Sequence, residues 1–370
     1  WDANAIERVD SHTVRLNCKA PQLAVPEHFF HYPYGILDPE EDGVFGVGSN
    51  GTGPFELVEL EVAVKAVLRA RKDYWGEGPY LDELTFINLG EDPASALAAI
   101  ASRQVDGLQS CEPALIEAFR SQKHTEFYTL GTATAPTVRF KMTEKPFDDA
   151  RVRKAMRLSI DSDNALQGSY RGLGVVGEHH GVAPIHPEYA KLPEWRQDIG
   201  AAKLLLSDAG YPNGVDLKLD VRSEPRWISD MAQNLSKQWA KAGIRVKVNV
   251  MPTPLYLKIW KSTPFGVTNW RHRPLGFMVL SLAYRSGVPW NETNFSNSEF
   301  DSILSKVEMT VDVEKRRALM AKLEKIMQEE GTIVQPYFLG EYTVYDKRVK
   351  GFKIHPTLYI FGNEIGVEKA

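Results

Sequence analysis

Apolar residues recur along this chain with two periods, and the changes between them mark where strands and helices fall. Near the start, Val9, Val14, Leu16 and Cys18 flank a turn at Asp10-Ser11-His12, and a loop rich in Pro, Gly and His follows to about Gly53. From Phe55 to Ala70 β-type residues dominate, with Val62, Val64, Ala66 and Leu68 on one side, although Ala63 and Val67 spoil the alternation. Leu84 to Leu89 reads as a strand, Pro93 to Ser102 as a helix with Leu97 and Ile100 inward, and Val105 to Leu108 as a second strand, which predicts a βαβ unit. After Gly131-Thr132 a new block opens. Pro146-Phe147-Asp148-Asp149 sets carboxylates against a positive helix terminus, and Val152, Ala155, Met156, Ser159 and Ile160 form one stripe. A helix over Asp198 to Ala209 stops at Gly210, with Pro212 beyond it. Val215, Leu217, Leu219 and Val221 then alternate as a strand. The helix Trp227 to Ala242 presents Ile228, Met231, Ala232, Leu235 and Trp239, and Ile244, Val246, Val248 and Val250 alternate again. This second βαβ unit lies far from the first, and each sheet needs its own helices to cover it, so two α/β lobes are predicted. Helices over Ser298 to Met309 and Asp312 to Glu330 precede a β-rich stretch from Thr332 to Tyr345 that passes through Pro336, and no internal repeat is visible.

Size agrees with this division: 370 residues at ~150 per domain give two domains or a little more. With 43% apolar and 25% charged residues, a net charge of −4 and a mean hydropathy of −0.30, the chain has globular proportions. No long run of one sign recommends nucleic acid or an anionic membrane as partner. The most apolar stretch, Phe277 to Tyr284, is interrupted by Ser281 and falls far short of the ~20 residues that cross a bilayer. Cys18 and Cys111 are too few for a disulfide framework, and whether they pair is open. The chain opens at Trp1-Asp2-Ala3 with no signal-peptide pattern, so any targeting segment is expected to have been removed or left out.

Catalytic signatures are scarce. Glu178-His179-His180 with His186 could supply metal ligands, but the spacing is not that of a helical zinc motif and the loop is rich in Gly and Pro. Ser110-Cys111-Glu112 lacks a nucleophile elbow, so a small buried Cys at a strand end is the better reading. The glycines from Gly43 to Gly53 lack a Walker lysine and read as turn glycines. What stands out is Asn269-Trp270-Arg271-His272-Arg273-Pro274. Two arginines around a histidine make a concentrated array of donors beside a flat indole, suited to an anion or carboxylate. The plainer alternative is a solvated loop with surface arginines.

The motifs resemble those of one family. Gly51-Thr52-Gly53-Pro54-Phe55, then Arg71-Lys72-Asp73-Tyr74-Trp75-Gly76 with Pro79-Tyr80-Leu81-Asp82-Glu83, is similar to the GTGPF…RNPDYWG…PYLDE block of the family 5 extracellular solute-binding proteins, the peptide, nickel and opine receptors of ABC importers. Pro146 to Arg153, Ala183-Pro184 before His186-Pro187, Asp208-Ala209-Gly210-Tyr211-Pro212 and Asn297-Ser298-Glu299-Phe300-Asp301 match in the same order. The resemblance implies an α/β, two-lobed periplasmic-binding-protein type II fold with a hinged cleft, from which the N-terminal part of lobe I is expected to be missing. Lobe I would comprise residues 1–135 and 337–370, lobe II residues 136–336, with hinges near Gly131 to Pro136 and Thr332 to Phe338.

By the same resemblance the chain is not an enzyme and needs no cofactor or metal. It would be a periplasmic or lipid-anchored monomer that captures a solute between its lobes and delivers it to an inner-membrane ABC permease. Peptide-binding relatives carry an Asp after the cleft tryptophan, where this chain has Arg271, His272 and Arg273, so an anionic ligand (an opine, a metal chelate or similar) is favoured over a peptide. Trp270 would pack on the ligand, Arg271 and Arg273 would donate to its oxygens, and His272 would adjust the local charge. Tyr284, Arg226 and Ser110 are further candidates, while Tyr74 and Trp75 are expected to pack within lobe I. The rival expectation is a metal-dependent hydrolase using Glu178, His179, His180 and His186.

Overall fold

The two segments with the clearest alternation pair with each other and organise the larger of two units. The computed structural model describes residues 5–18, 21–30, 35–90, 92–193 and 195–368. Among these, the strands Val215–Arg222 and Ile244–Met251 run parallel, in register from Val215 opposite Ile244 to Arg222 opposite Met251. The helix Trp227–Ala240 is their crossover, and it buries Trp227, Ile228, Met231, Ala232, Leu235 and Trp239. On the other side of Val215–Arg222 lies Phe265–Trp270, also parallel to it, followed by Ala135–Phe140 and Ile333–Val334, which complete a five-stranded mixed sheet. Ala135–Phe140 is buried on both faces. Phe140, Phe147, Phe265 and Trp239 stack around its far end, with ring centroids 5.0 to 5.7 Å apart.

Helices begin where the sequence offers a capping side chain. Asp149, Asp161, Asp198, Asn297 and Asp312 each accept a backbone N–H from the first turn of the helix that follows. The long helix Val313–Glu330 ends at Gly331, whose φ of 68° is left-handed.

The larger unit comprises Trp1–His31 and Thr132–Leu339, and the smaller one Tyr32–Gly131 and Gly340–Ala370. The first segment was expected with residues 32–131, yet it joins the larger unit. There Leu23 donates its N–H to Glu308 O at 3.1 Å, and Ala24 enters the same core as Phe300, Leu304 and Val307. Pro336 divides the β-rich tail, because it has no N–H for a ladder, and Ile333–Val334 and Tyr337–Asp346 lie on either side of it. Tyr337–Leu339 pairs with Gly174–Val176 inside the larger unit, and Gly340–Asp346 pairs with Thr125–Gly131 inside the smaller.

The smaller unit departs from the expected βαβ. Phe55–Glu61, Lys65–Ala70 and Glu83–Ile87 form an antiparallel meander, and the flawed alternation around Ala63 marks a hairpin turn where Ala63 takes a φ of 65°. Val105 to Leu108 makes no strand. The stretch is held by a single bridge from Gly107 to Tyr345 and by Leu108 N–H on Val344 O at 3.0 Å. Trp75, expected to pack, is 80% exposed, because its indole N–H turns to Thr52 O at 2.9 Å. Among the described residues no helix is long and apolar enough to cross a membrane.

Candidate functional site

Val215–Arg222, Ile244–Met251 and Phe265–Trp270 are mutually parallel, so their carboxyl ends open on one edge of the sheet. In open α/β sheets that edge is where ligands bind. Ala135–Phe140 starts at that edge and Ile333–Val334 runs towards it.

Trp270 ends its strand opposite Ala135 and is 7% exposed. Its ring lies 6.1 Å from Trp290 at 33°, and Trp290 meets Trp260 edge-on at 6.2 Å. Trp290 remains 42% exposed, so the tryptophan row has a buried end and an open end. Tyr284 caps the helix Gly276–Ala283 and is buried; burial pushes its phenol up, opposed by hydrogen bonds to Trp270 and Thr137. Beneath the row, buried Arg139 and Glu292 pair at 2.8 Å. Glu292 also takes the Thr268 hydroxyl at 2.6 Å, and Arg139 donates to the carbonyls of Thr263 and Trp260. With both partners engaged, this pair props up the aromatic row and is not open to a ligand.

The three residues after Trp270 take different roles. Arg271 is exposed. His272 is buried, its Nδ1 accepting the Ala133 N–H at 3.0 Å and its own N–H reaching Thr134 Oγ1 at 3.2 Å, so it ties this loop to the start of Ala135–Phe140. Arg273 is half-buried and folds back on His272 O at 3.1 Å.

A residue that sequence reasoning passed over completes the picture. Arg222, the last residue of its strand, is half-buried and close enough to Arg271 for the two charges to repel. Burial lowers the Arg222 pKa first, the nearby Tyr256 opposes this, and the Arg271 charge lowers it further. Among the described residues neither guanidinium makes an ion pair. Its signal in the sequence was position alone: it closes the Val215, Leu217, Leu219, Val221 alternation at a parallel strand's carboxyl end.

The remaining candidates fall apart from this group. Arg226 sits at the start of Trp227–Ala240 with an 81% exposed side chain, 3.9 Å from Asp230. Ser110 is exposed in the smaller unit, beside a buried Cys111 whose thiol is pushed up to about 12, chiefly by burial. Cys18 and Cys111 are free thiols.

The histidine loop, offered as metal ligands for a hydrolase, is built into the core. His180 bonds Glu178 at 3.0 Å through Nε2 and accepts the Val182 N–H through Nδ1; His186 accepts the Ala183 N–H and donates to Arg273 O at 3.0 Å; His179 Nδ1 accepts the Gln335 N–H at 3.1 Å. Backbone partners consume the lone pairs a metal would need, and among the described residues no group of three His, Cys, Asp or Glu side chains is arranged to hold a metal ion. The hydrolase reading therefore loses its ligands.

Comparison with known proteins accords with this geometry. The model of the bacterial extracellular solute-binding proteins, family 5 Middle, matches residues 1–280. The dipeptide-binding protein of Escherichia coli K12 is 23% identical over 95% of this chain and 69% of its own length. The periplasmic binding protein DppA of Helicobacter pylori, solved with the peptide STSA, superposes with a TM-score of 0.86 at 21% identity, covering 98% of this chain and 74% of that one. AgaA of A. tumefaciens R10, solved with agropinic acid, gives 0.84 at 20% identity, covering 99% and 78%. The chain belongs to the family 5 bacterial extracellular solute-binding proteins and has their two-lobed periplasmic-binding-protein type II fold.

Proposed function

We propose that this solute-binding protein is a receptor for a small anionic solute and hands it to an ABC permease without making or breaking a covalent bond. The observation that carries the reading is that Arg222 and Arg271, at the carboxyl edge of the sheet, are near enough for their like charges to repel, and neither has an ion-pair partner among the described residues; the partly exposed Trp290 belongs to the aromatic row that Trp270 begins. Two guanidiniums held together repel each other, and a carboxylate or similar group placed on both converts that repulsion into charge-assisted hydrogen bonds. Trp270 and Trp290 offer the ligand's body an aromatic wall. Arg273 and His272 position the loop, Tyr284 braces Trp270, and Arg226 and Ser110 are the outlying members of the proposed set.

The ligands of the two solved relatives support an acidic group without choosing the rest of the molecule: agropinic acid is an acid by name, and a peptide ends in a carboxylate. Opines, metal chelates with free carboxylates and acidic peptides all satisfy the pair. Family membership supports a monomer working outside the cytoplasm, periplasmic or lipid-anchored, as a receptor and not a catalyst.

Calorimetric titration with a panel of acids, their amides and short peptides tests the reading. Acids should bind and their neutral amides should not. Arg222→Ala and Arg271→Ala should each weaken binding at least about tenfold, as expected for loss of a charge-assisted bond. Tight binding of a plain peptide that is lost on acetylating its amino terminus and unchanged in Arg271→Ala would overturn the anion reading while leaving the receptor reading intact.

A further inference from the structure

Away from the solute site, the larger unit buries a guanidinium that, among the described residues, no carboxylate serves. Arg157, near the end of the helix Ala150–Leu158, is fully buried, and Nε, Nη1 and Nη2 all lack a hydrogen-bond partner. Its neighbour one turn back makes the contrast: Arg153 donates to Glu330 O and Phe147 O at 2.8 and 2.7 Å and lies 3.5 Å from the Glu330 carboxylate. Arg157 has instead the face of Trp195, 4.3 Å from its ring centroid. It also approaches the end of Val313–Glu330, since a methyl on Gly331 would stand 3.5 Å from Arg157 Nε. A helix carboxyl end and an aromatic face offset only part of a unit charge.

Further donors gather here. His179 is fully buried, near enough for the Arg157 charge to act on it, and edge-on to Trp195 at 6.1 Å. Because His179 Nδ1 accepts the Gln335 N–H, the neutral ring carries its proton on Nε2, and that N–H has no acceptor. Trp195 Nε1, an obligate donor, is buried without one as well. Thr332 Oγ1 and Gln335 Oε1 are also unpartnered, but both are neutral and neither compensates a charge. A buried cation beside two further unpartnered donors is an expensive arrangement unless something negative accepts from it.

We propose that Arg157 and His179, roofed by Trp195, hold a small inorganic anion of halide size as a structural ion of the larger unit. The guanidinium supplies the charge, the imidazole Nε2–H a second donor, and the indole face seals the site. The ion is independent of the transported solute, because none of these side chains belongs to the Arg222 and Arg271 group.

The test is a thermal unfolding series at constant ionic strength in which sodium gluconate is replaced by sodium chloride or bromide, together with a bromide anomalous-scattering map of the crystalline protein. Above its dissociation constant the halide should raise the midpoint in proportion to the logarithm of its concentration, by about 5 °C at a ~100-fold excess. The map should place bromide within hydrogen-bond reach of Arg157. Arg157→Met should fold and unfold at one temperature in both salts, whereas Arg271→Ala should keep the halide shift. Equal midpoints in gluconate and chloride, or bromide only at Arg222 and Arg271, would overturn the proposal. So would density for water alone beside Arg157, a result the wild-type map supplies even if Arg157→Met does not fold. Glu194 neighbours Trp195 in the sequence; a halide-independent loss of stability in Glu194→Gln would assign the charge to that carboxylate instead.

Discussion

Trp270 and Trp290 are neighbours in one aromatic row, and their different exposure separates binding from folding. Trp270→Ala removes a 7% exposed side chain from a packed core, and should cost about 3 kcal/mol of stability as well as affinity. Trp290→Ala, at 42% exposure, should weaken ligand binding with a much smaller loss of stability; urea unfolding and titration of both variants measure the split. The histidine loop makes a pH prediction. Burial lowers the pKa of His179, His180 and His186, the last to about 4. Below about pH 6.5 the unfolded chain takes up protons that the folded one refuses, so stability is complete above that pH and falls as pH drops towards 4. His186 alone contributes about 3 kcal/mol to that fall, and His186→Asn should flatten the pH dependence of the urea midpoint between pH 7 and pH 4.5. Of the site, Trp270 and Arg271 were legible because a compact motif carries them. Arg222 was not, since its partner comes from a strand more than forty residues further on, through a register that no local pattern encodes.

Elements whose apolar residues keep one period over several turns were read correctly: Val215–Arg222, Trp227–Ala240 and Ile244–Met251 came out as predicted, a strand, its crossover helix and a parallel partner. Elements failed where the period was short or the partner distant. Val105 to Leu108 offered four apolar-rich residues, and what holds them is a strand near the other end of the chain. The break at Ala63 was visible as a fault in the alternation, but a fault does not say whether a strand bulges or turns. Helix ends were the most legible feature, because capping is local chemistry. Asp312→Ala, which loses the bond to Lys315 N–H, should cost about 1 kcal/mol. Gly331→Ala should cost at least that much, since φ is 68° and the new methyl would sit 3.0 Å from Arg153 Cβ; both are read from thermal or urea unfolding.

For the molecule as a whole, the division into two units was legible from two separate α/β regions, but the allegiance of residues 1–31 was not. That segment carries little periodicity of its own and docks by contacts such as Leu23 on Glu308. Family membership came from motifs spread along the chain in order, and the 0.86 superposition on a peptide receptor carries the same fold. Ligand class is a finer matter, resting on a charge pair and not on the fold. Native mass spectrometry of the purified protein, followed by denaturation and identification of any released molecule, tests the central claim most directly. The account predicts a discrete excess mass that proves to be an acid, with occupancy sharply reduced in Arg222→Ala and Arg271→Ala. A neutral or cationic ligand, or an acid retained equally by both variants, would contradict it.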